Sequence, residues 1–215
     1  MKKMICLAAA MVFGIAGIFA DGKSGGNDSS MYAKLSLGYT HGGAEVEFDV
    51  ASTKIKETLF YSGFEIAPAF GYVLPIFEDK PFDIAAEASV GIAFGSDVAF
   101  DSSTTVINPG LMGIFNWHFE NSESSFLQKF VPYAGLGFSV PIQMVSWDYT
   151  IRTYPNGTLE TKKESFDSTV VGFRINMLMG ARYEFTDSLS ALAEFGAGVL
   201  GTFSYSFRVG AMYKF

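Results

Sequence analysis

The sequence is poor in cysteine and histidine, and this limits the chemistry that it can perform. Its one cysteine, Cys6, lies in a segment that we expect to be removed, so the remaining chain has no disulfide framework. Neither of the two histidines, His41 and His118, has metal-ligand spacing or a serine in register with it. No phosphate loop or nucleophile elbow is present. We therefore predict no catalytic residue, no metal site and no cofactor.

Long apolar runs and basic residues are also scarce. No stretch after Ala20 is long and apolar enough for a membrane helix, although 49% of the residues are hydrophobic and 22 are phenylalanine. Such a composition fits a β-barrel, in which lipid-facing residues alternate with others. Without Lys2 and Lys3 the net charge is 13 − 22 = −9, which gives no support for nucleic-acid binding.

The first 30 residues divide into two segments. Lys2 and Lys3 precede an uncharged apolar run that ends at Ala20, which predicts a secretory signal peptide over residues 1–20. The alternative is a short N-terminal anchor helix, which is disfavoured because a bilayer span needs about 20 apolar residues. Residues 21–30 are polar and glycine-rich and predict a flexible lead-in. The barrel would occupy residues 31–215.

From residue 31 onward, apolar and small or polar residues alternate with period two, which is typical of strands with unlike faces. Eight such runs occur, at 31–39, 64–74, 82–94, 107–119, 133–143, 171–185, 189–199 and 203–215. Each is long enough for the about 9 to 11 residues of a tilted membrane strand. We predict an all-β fold, an eight-stranded antiparallel up-and-down transmembrane β-barrel.

The connections predict the topology of this barrel. The longer or polar segments 41–58, 96–104 and 145–166 are expected as external loops, with both chain termini in the periplasm and a very tight last loop near residues 201–202. Segment 121–129 is expected to hold a helical turn. Pro68, Pro109 and Pro141 lie inside strands, where every backbone donor is needed, so bulges are predicted there.

The two faces of the strands differ in residue size. One carries large apolar residues, and the other carries glycine, alanine and serine with few charges, which suits the narrow interior of an eight-stranded barrel better than the water side of a soluble one. Aromatic residues fall into two bands, as membrane interfaces select; general enrichment of aromatics in strands is the alternative. We expect the phenylalanine-rich face to meet lipid.

Eight charged residues are predicted to point inward: Lys34, Glu65, Glu87, Arg174, Arg182, Glu184, Glu194 and Arg208. Counting across the last two turns places Glu194 opposite or diagonal to Arg208 and diagonal to Arg182, so Glu194 is predicted to bridge two arginines. This cluster would either plug and order the lumen or take part in gating or solute binding. Against a full plug, many small inward residues predict that part of the lumen is open: Ala67, Ala69, Gly71, Gly91, Ala93, Gly135, Gly137, Gly196 and Gly198.

The last eight residues, RVGAMYKF, carry a resemblance to known proteins. Arg208, Gly210, Tyr213 and Phe215 resemble the closing strand of bacterial outer-membrane β-barrels, in which these features are read by the insertion machinery. As a whole the chain is similar to the small barrels grouped around OmpX, OmpA and OmpW. The resemblance implies a cell outer-membrane location, with lipid and the barrel-insertion machinery as partners, and OmpW-like members admit small hydrophobic molecules.

Two functional hypotheses follow. In the first, the protein is an OmpW-like, porin-like narrow channel for small hydrophobic solutes. In the second, it is a plugged scaffold whose loops bind a host or surface partner, or that serves the envelope structurally without a ligand. The candidate binding loop contains Trp147, Tyr149, Tyr154, Lys162 and Lys163; the alternative for this segment is a strand pair that extends above the membrane.

Overall fold

A computed structural model gives the fold of the chain. It describes residues 31–50, 53–74, 76, 80–97, 102–119, 122–153, 160–200 and 203–215. The predicted signal peptide at 1–20, the lead-in at 21–30 and the tight loop at 201–202 lie outside these residues and stay predictions.

Ten strands and one short helix follow each other within the described residues. They are β1 Met31–Val50, β2 Thr53–Leu74, β3 Phe82–Asp97, β4 Ser102–Trp117, α1 Ser125–Lys129, β5 Phe130–Ser139, β6 Ile142–Thr153, β7 Glu160–Val171, β8 Arg174–Glu184, β9 Leu189–Leu200 and β10 Ser204–Lys214. The helical turn predicted at 121–129 is therefore confirmed as α1. No helix in the described part of the chain is long and apolar enough to cross a membrane.

These ten strands form eight barrel strands. The β5/β8 and β6/β7 ladders share one register, so β5 with β6 and β7 with β8 are each one barrel strand with a short interruption. All pairings between the eight barrel strands are antiparallel. Each joins strands that are neighbours along the chain, except the pairing of β1 with β10, which closes the ring. The predicted eight-stranded antiparallel up-and-down barrel is confirmed.

The three segments predicted as long external loops are mostly strand. This contradicts the loops predicted at 41–58 and 96–104, whereas for 145–166 it bears out the alternative of an extended strand pair. Strands β1 and β2 continue to Val50 and from Thr53, and their register sets Glu47 opposite Lys56. Alternation persists in this segment, and opposite charges at paired positions favour antiparallel pairing. The β3–β4 and β6–β7 connections are likewise mostly strand.

Two hairpins are consequently longer than a membrane requires. Strands β1 and β2 have 20 and 22 residues, against the about 9 to 11 of a tilted span. The hairpin of β6 and β7 extends the β5–β8 pair in the same direction. We name the end of the barrel that carries these hairpins the outer end, and the end at which β1 begins and β10 ends the periplasmic end.

The bulges predicted at Pro68, Pro109 and Pro141 are wrong. The β1/β2 register is the same before and after Pro68, and the β3/β4 register is the same before and after Pro109. At Pro141 the strand is interrupted, but the register with the neighbouring strands does not change. A missing N–H thus removes local ladder hydrogen bonds without inserting a residue. In the described strands the register shift lies between Ile175 and Asn176, where β8 pairs with β9.

Large apolar side chains cover the outside of the barrel. Leu35, Leu111, Leu136, Met179 and Val209 are each more than half exposed. Aromatic residues form one exposed band toward the periplasmic end, with Tyr72, Trp117, Phe185, Tyr213 and Phe215, and another toward the outer end, with Tyr39, Phe60, Phe94 and Phe203. A water-soluble monomer rarely exposes so much apolar surface, so this is the surface of a membrane-spanning barrel.

Candidate functional site: the barrel lumen

A buried ion cluster crosses the lumen. The Lys34 ammonium lies 2.8 Å from Glu87 Oε1 and 2.7 Å from Glu194 Oε1. The Tyr32 and Tyr133 hydroxyls donate hydrogen bonds of 3.0 Å to Glu87 and Glu194 respectively. Buried charges are tolerated when each has a partner and further hydrogen bonds. Lys34 and Glu87 meet that condition, whereas Glu194 Oε2 has no hydrogen-bond partner among the described residues.

Glu194 does lie opposite Arg208, with 3.3 Å between Glu194 Oε2 and Arg208 Nε. Arg182 is set opposite Leu192, which places it diagonal to Glu194, but it does not join that carboxylate among the described residues. The predicted Arg182–Glu194 bridge is therefore wrong. Lys34 takes that place from β1, across the seam with β10, which a count over the last two turns did not include.

Arg182 belongs instead to a polar network at the periplasmic end. Its Nη1 donates a 2.6 Å hydrogen bond to Asn116, and its Nε lies 3.3 Å from Glu184. Asn116 and His118 each contact Asp83 at 2.6 Å. This network lies beside an apolar cluster that fills the lumen at the same end: Tyr32, Ala85, Ile114, Tyr133, Leu178, Leu192 and Met212.

The other histidine, His41 on β1, has Ser62 as its register partner, with 2.8 Å between Nδ1 and Oγ. The expectation that neither histidine has a serine in register is therefore wrong.

Several glycines on the inner face of the barrel provide space for tyrosine rings. A Cβ at Gly71 would collide with the ring of Tyr32, and a Cβ at Gly180 would lie 2.7 Å from Tyr133 Cζ. Tyr61 covers Gly42 in the same way. Of the residues that predict an open lumen, Gly71 is therefore no opening, because a large side chain reaches over it from the next strand. Ala67, Ala69, Gly196 and Gly198, by contrast, do line a cavity.

One cavity remains between the ion cluster and the outer end. Its volume is about 80 Å³, and its wall includes the charged side chains of Lys34, Glu65, Glu87, Arg174 and Arg208 together with several serine and asparagine residues. Glu65 Oε1 lies 3.8 Å from Arg208 Nη1, which is a long contact for an ion pair. The cavity is thus polar and charged rather than apolar.

The base of the β6–β7 hairpin packs over the outer end of the lumen. Leu59 and Val145 are buried against each other, with Trp147 and Val170 packed against them. Gln143 Nε2 also donates a 3.1 Å hydrogen bond to the carbonyl of Gly43, on the opposite side of the ring. These contacts form an apolar cap above the charged cavity.

The candidate binding residues lie in and beyond this cap. Trp147 is half-buried, with its ring 4.4 Å from that of Phe166, so it belongs to the cap. Tyr149, Lys162 and Lys163 lie farther out in β6 and β7, with side chains outside the described part of the chain. Tyr154 lies outside the described residues altogether.

The C-terminal motif occupies the seam that closes the barrel. Arg208 points into the lumen, whereas Tyr213 and Phe215 are at least half exposed on the outer face, with rings 5.3 Å apart. A Cβ at Gly210 would collide with the carbonyl oxygen of Leu35 on β1, so only glycine permits this close approach. The motif residues therefore all lie where the last strand meets the first.

No group of three or more histidine, cysteine, aspartate or glutamate side chains within the described residues could hold a metal ion. No protein-family model and no curated protein matches the sequence.

Solved structures do resemble the fold. The crystal structure of Neisserial surface protein A is similar over 87% of this chain and 98% of its own, with 14% identity and a TM-score of 0.50. The outer membrane protein OprG from Pseudomonas aeruginosa shows 13% identity over 88% of this chain and 98% of its own, with a TM-score of 0.45. Ail from Yersinia pestis shows 11% identity over 86% of this chain and 98% of its own, with a TM-score of 0.43. In architecture and in its apolar outer surface, the chain has the fold of a small bacterial outer-membrane barrel.

Proposed function

We propose that this protein is an integral outer-membrane barrel with a plugged lumen that serves as a scaffold for its outer hairpins, and that it is not an enzyme. The buried cluster of Lys34, Glu87, Glu194 and Arg208 is the observation that carries this proposal. These side chains come from β1, β3, β9 and β10, so the cluster ties strands together across the interior. A solute could pass only by separating buried, paired charges, which is unfavourable.

The hairpins supply the surface that such a scaffold would present. Rigid elements that project beyond a membrane are suited to partner binding because the barrel fixes their position. The β6–β7 hairpin reaches farther than its cap contacts require, and its outer part holds Tyr149, Lys162 and Lys163. We propose that this part binds a host or surface partner, with lipid and the insertion machinery as the other partners of the chain.

The OmpW-like channel is the second candidate function, and the 80 Å³ cavity is the observation that favours it. The cavity wall argues for a polar solute, because small hydrophobic molecules gain nothing from a wall that carries Glu65, Arg174 and Arg208. The channel candidate predicts that a solute crosses the barrel, whereas the scaffold candidate predicts that none does.

Solute uptake into liposomes that contain the refolded barrel distinguishes the two candidates. We expect neither a small apolar solute nor a polar one of similar size to enter faster than into protein-free liposomes. Uptake of either solute above that of protein-free liposomes, changed by Glu194→Ala, would establish a channel instead, and a preference for the polar solute would match the cavity wall. Circular dichroism confirms that the barrel is folded in each preparation.

Partner binding is tested by trimming the hairpin. The register sets Asp148 opposite Ser165, so residues 149–164 can be replaced by a two-residue Asn-Gly turn that suits such a hairpin. We expect nanodiscs with the intact barrel, but not with the trimmed barrel, to be retained on a surface coated with mixed extracellular-matrix proteins. Equal retention of the two, with equal thermal stability, would contradict the binding role of the hairpin.

A further inference from the structure

Arg174 is a buried cation with no carboxylate in direct contact among the described residues, although the negative charge of Glu65 acts on it from farther away. Its residue is 4% exposed, and among the described residues no acidic side chain lies within 4.0 Å of its guanidinium. The Tyr61 hydroxyl contacts it, but Nε and Nη2 have no hydrogen-bond partner. A buried charge without a partner is costly, so its presence calls for a physical reason.

The two unpartnered nitrogens define the shape of what could bind there. In a guanidinium, Nε and Nη2 lie on the same edge, and their two parallel N–H groups match the two oxygens of a carboxylate. The stem of Arg174 lies over Gly198, where a Cβ would be 2.5 Å from its Cδ, so the glycine permits this placement. Arg174 lines the 80 Å³ cavity.

Ser139, the register partner of Arg174, adds a donor to the same wall. Its hydroxyl oxygen accepts a 2.8 Å hydrogen bond from Asn176 Nδ2, which leaves the hydroxyl hydrogen to be donated. Ser139 is 2% exposed and therefore has no bulk water to bind. The Arg174 side of the cavity thus presents several donors and suits an anionic group.

Glu65 gives the cavity a complementary side. Its Oε2 is buried without a hydrogen-bond partner, and its nearest cation, Arg208, lies 3.8 Å from Oε1. A carboxylate oxygen of this kind suits an ammonium group, which donates hydrogen bonds and carries the opposite charge. The cavity therefore has an unsatisfied cation and an incompletely satisfied anion in its wall.

Charge balance selects between a simple ion and a zwitterion. The described inward-facing side chains comprise five cations, Lys34, Arg174, Arg182, Arg208 and Lys214, and five anions, Glu65, Asp83, Glu87, Glu184 and Glu194. Because these charges cancel, an added anion or cation would leave a net charge inside the barrel, which is unfavourable at low dielectric. A molecule that carries both charges would not.

The size of the cavity limits the ligand. About 10–15 Å³ of such volume accommodates one water molecule, so about 80 Å³ takes a molecule with few non-hydrogen atoms. The simplest amino acids are of this size and carry one carboxylate and one ammonium group.

We propose that the cavity is a binding site for a small zwitterion of the amino-acid class, with its carboxylate on the Nε–Nη2 edge of Arg174 and its ammonium group on Glu65. This site goes beyond the proposed scaffold function and does not depend on it, since the ligand would be held within the plug rather than passed through it.

The test is a titration of the refolded full chain in nanodiscs with glycine, followed by calorimetry and by the NMR signal of the Arg174 Nε–H. Glycine is also added during refolding of a parallel sample, so that the outer cap cannot prevent its entry. We expect saturable binding of glycine, and binding of acetate or methylammonium that is weaker by about tenfold or more, as the loss of one charge-assisted contact implies.

Two variants and one control assign the site. Arg174→Lys keeps the charge but loses the two-pronged edge, and Glu65→Gln loses the ammonium partner; each should weaken glycine binding by about tenfold. Lys129→Gln removes an exposed cation of α1 outside the lumen and should leave binding unchanged. Circular dichroism establishes folding of each variant.

The proposal is overturned if folded wild-type barrel binds no glycine in either sample, or if acetate binds as tightly as glycine. It is also overturned if Arg174→Lys and Glu65→Gln retain wild-type affinity. Liposome uptake is a separate measurement, so a failure of this site leaves the scaffold proposal standing, and the converse also holds.

Discussion

The buried charged side chains of the periplasmic and outer halves of the lumen differ in their partners. Toward the periplasmic end, Lys34 and Glu194 lie 2.7 Å apart, and tyrosine hydroxyls donate to the carboxylates. Glu194 Oε2 has no hydrogen-bond partner among the described residues, but it lies 3.3 Å from Arg208 Nε. Toward the outer end, Arg174 and Glu65 face a cavity, each with a buried polar atom that has no partner. The first arrangement is that of a structural plug, whereas the second is that of a site prepared for a ligand.

The difference shows that burial alone does not assign a role to a charged residue. Both halves contain side chains of the same types with similarly low exposure. The number of close opposite charges separates them: Glu194 has two cations within 3.3 Å, whereas among the described residues Arg174 has no carboxylate within 4.0 Å. Four substitutions test this comparison.

The largest effect is expected for Glu194→Ala in the paired half. It leaves Lys34 and Arg208 buried without their shared carboxylate, which should lower the free energy of unfolding by about 3–5 kcal/mol. Urea unfolding of the refolded barrel in lipid vesicles measures this change. A loss of unfolding free energy below about 1 kcal/mol would mean that water reaches the cluster and that the charges of the two halves of the lumen are equally solvated.

Packing beneath the cluster should be nearly as sensitive. Gly71→Ala places a Cβ against the ring of Tyr32 and should cost about 1–3 kcal/mol through overpacking. Gly113→Ala is the matched control, since its Cβ would meet only the Leu136 carbonyl, at 3.8 Å, and should be nearly neutral. If both variants have the same stability, Tyr32 does not lie over Gly71.

In the unpaired half, the sign of the effect should reverse. Arg174→Met replaces a buried cation that lacks a carboxylate partner with an apolar side chain of similar length. It should leave stability unchanged or raise it by about 1 kcal/mol in the absence of ligand. A loss comparable to that of Glu194→Ala would show that Arg174 is structurally paired after all.

The smallest effect is expected at the periplasmic rim. Glu184 contacts Lys214 at 2.8 Å, but both side chains are partly exposed. Glu184→Gln should therefore lower stability by less than about 1 kcal/mol, and high salt should remove most of the difference. If the stability difference between the wild type and Glu184→Gln does not depend on salt, the Glu184–Lys214 pair is shielded from solvent like the pairs of the buried ion cluster.

Period-two alternation was sufficient to predict the number of strands, their antiparallel order and the face of each charged residue. The Glu194–Arg208 opposition also followed, since it depends on one short turn between neighbouring strands. What alternation could not predict is contact across the ring. Lys34 reaches Glu194 from another part of the chain, and nothing local in the sequence of β1 indicates it.

Contacts between side chains of different strands also explain why the sequence predicts an open lumen. A glycine on one strand is a gap in a one-dimensional pattern, but in the barrel the ring of Tyr32 or Tyr133 fills that gap from a neighbouring strand. Likewise, the polar composition of 41–58 suggested a loop, although its two strands pair in a register that sets Glu47 opposite Lys56. In both cases the neighbouring strand in the barrel determines the structure of the segment.

The placement of Lys34 beside the seam has a consequence for how the barrel is completed. Every pairing among the eight barrel strands joins chain neighbours except that of β1 with β10, and such a non-local pairing carries the greatest entropic penalty of closure. Lys34, on β1, contacts Glu194 on β9, beyond the last strand. That ion pair can form only once the ends have met. It therefore acts as a latch that slows reopening of the seam while adding little to the rate of its closure.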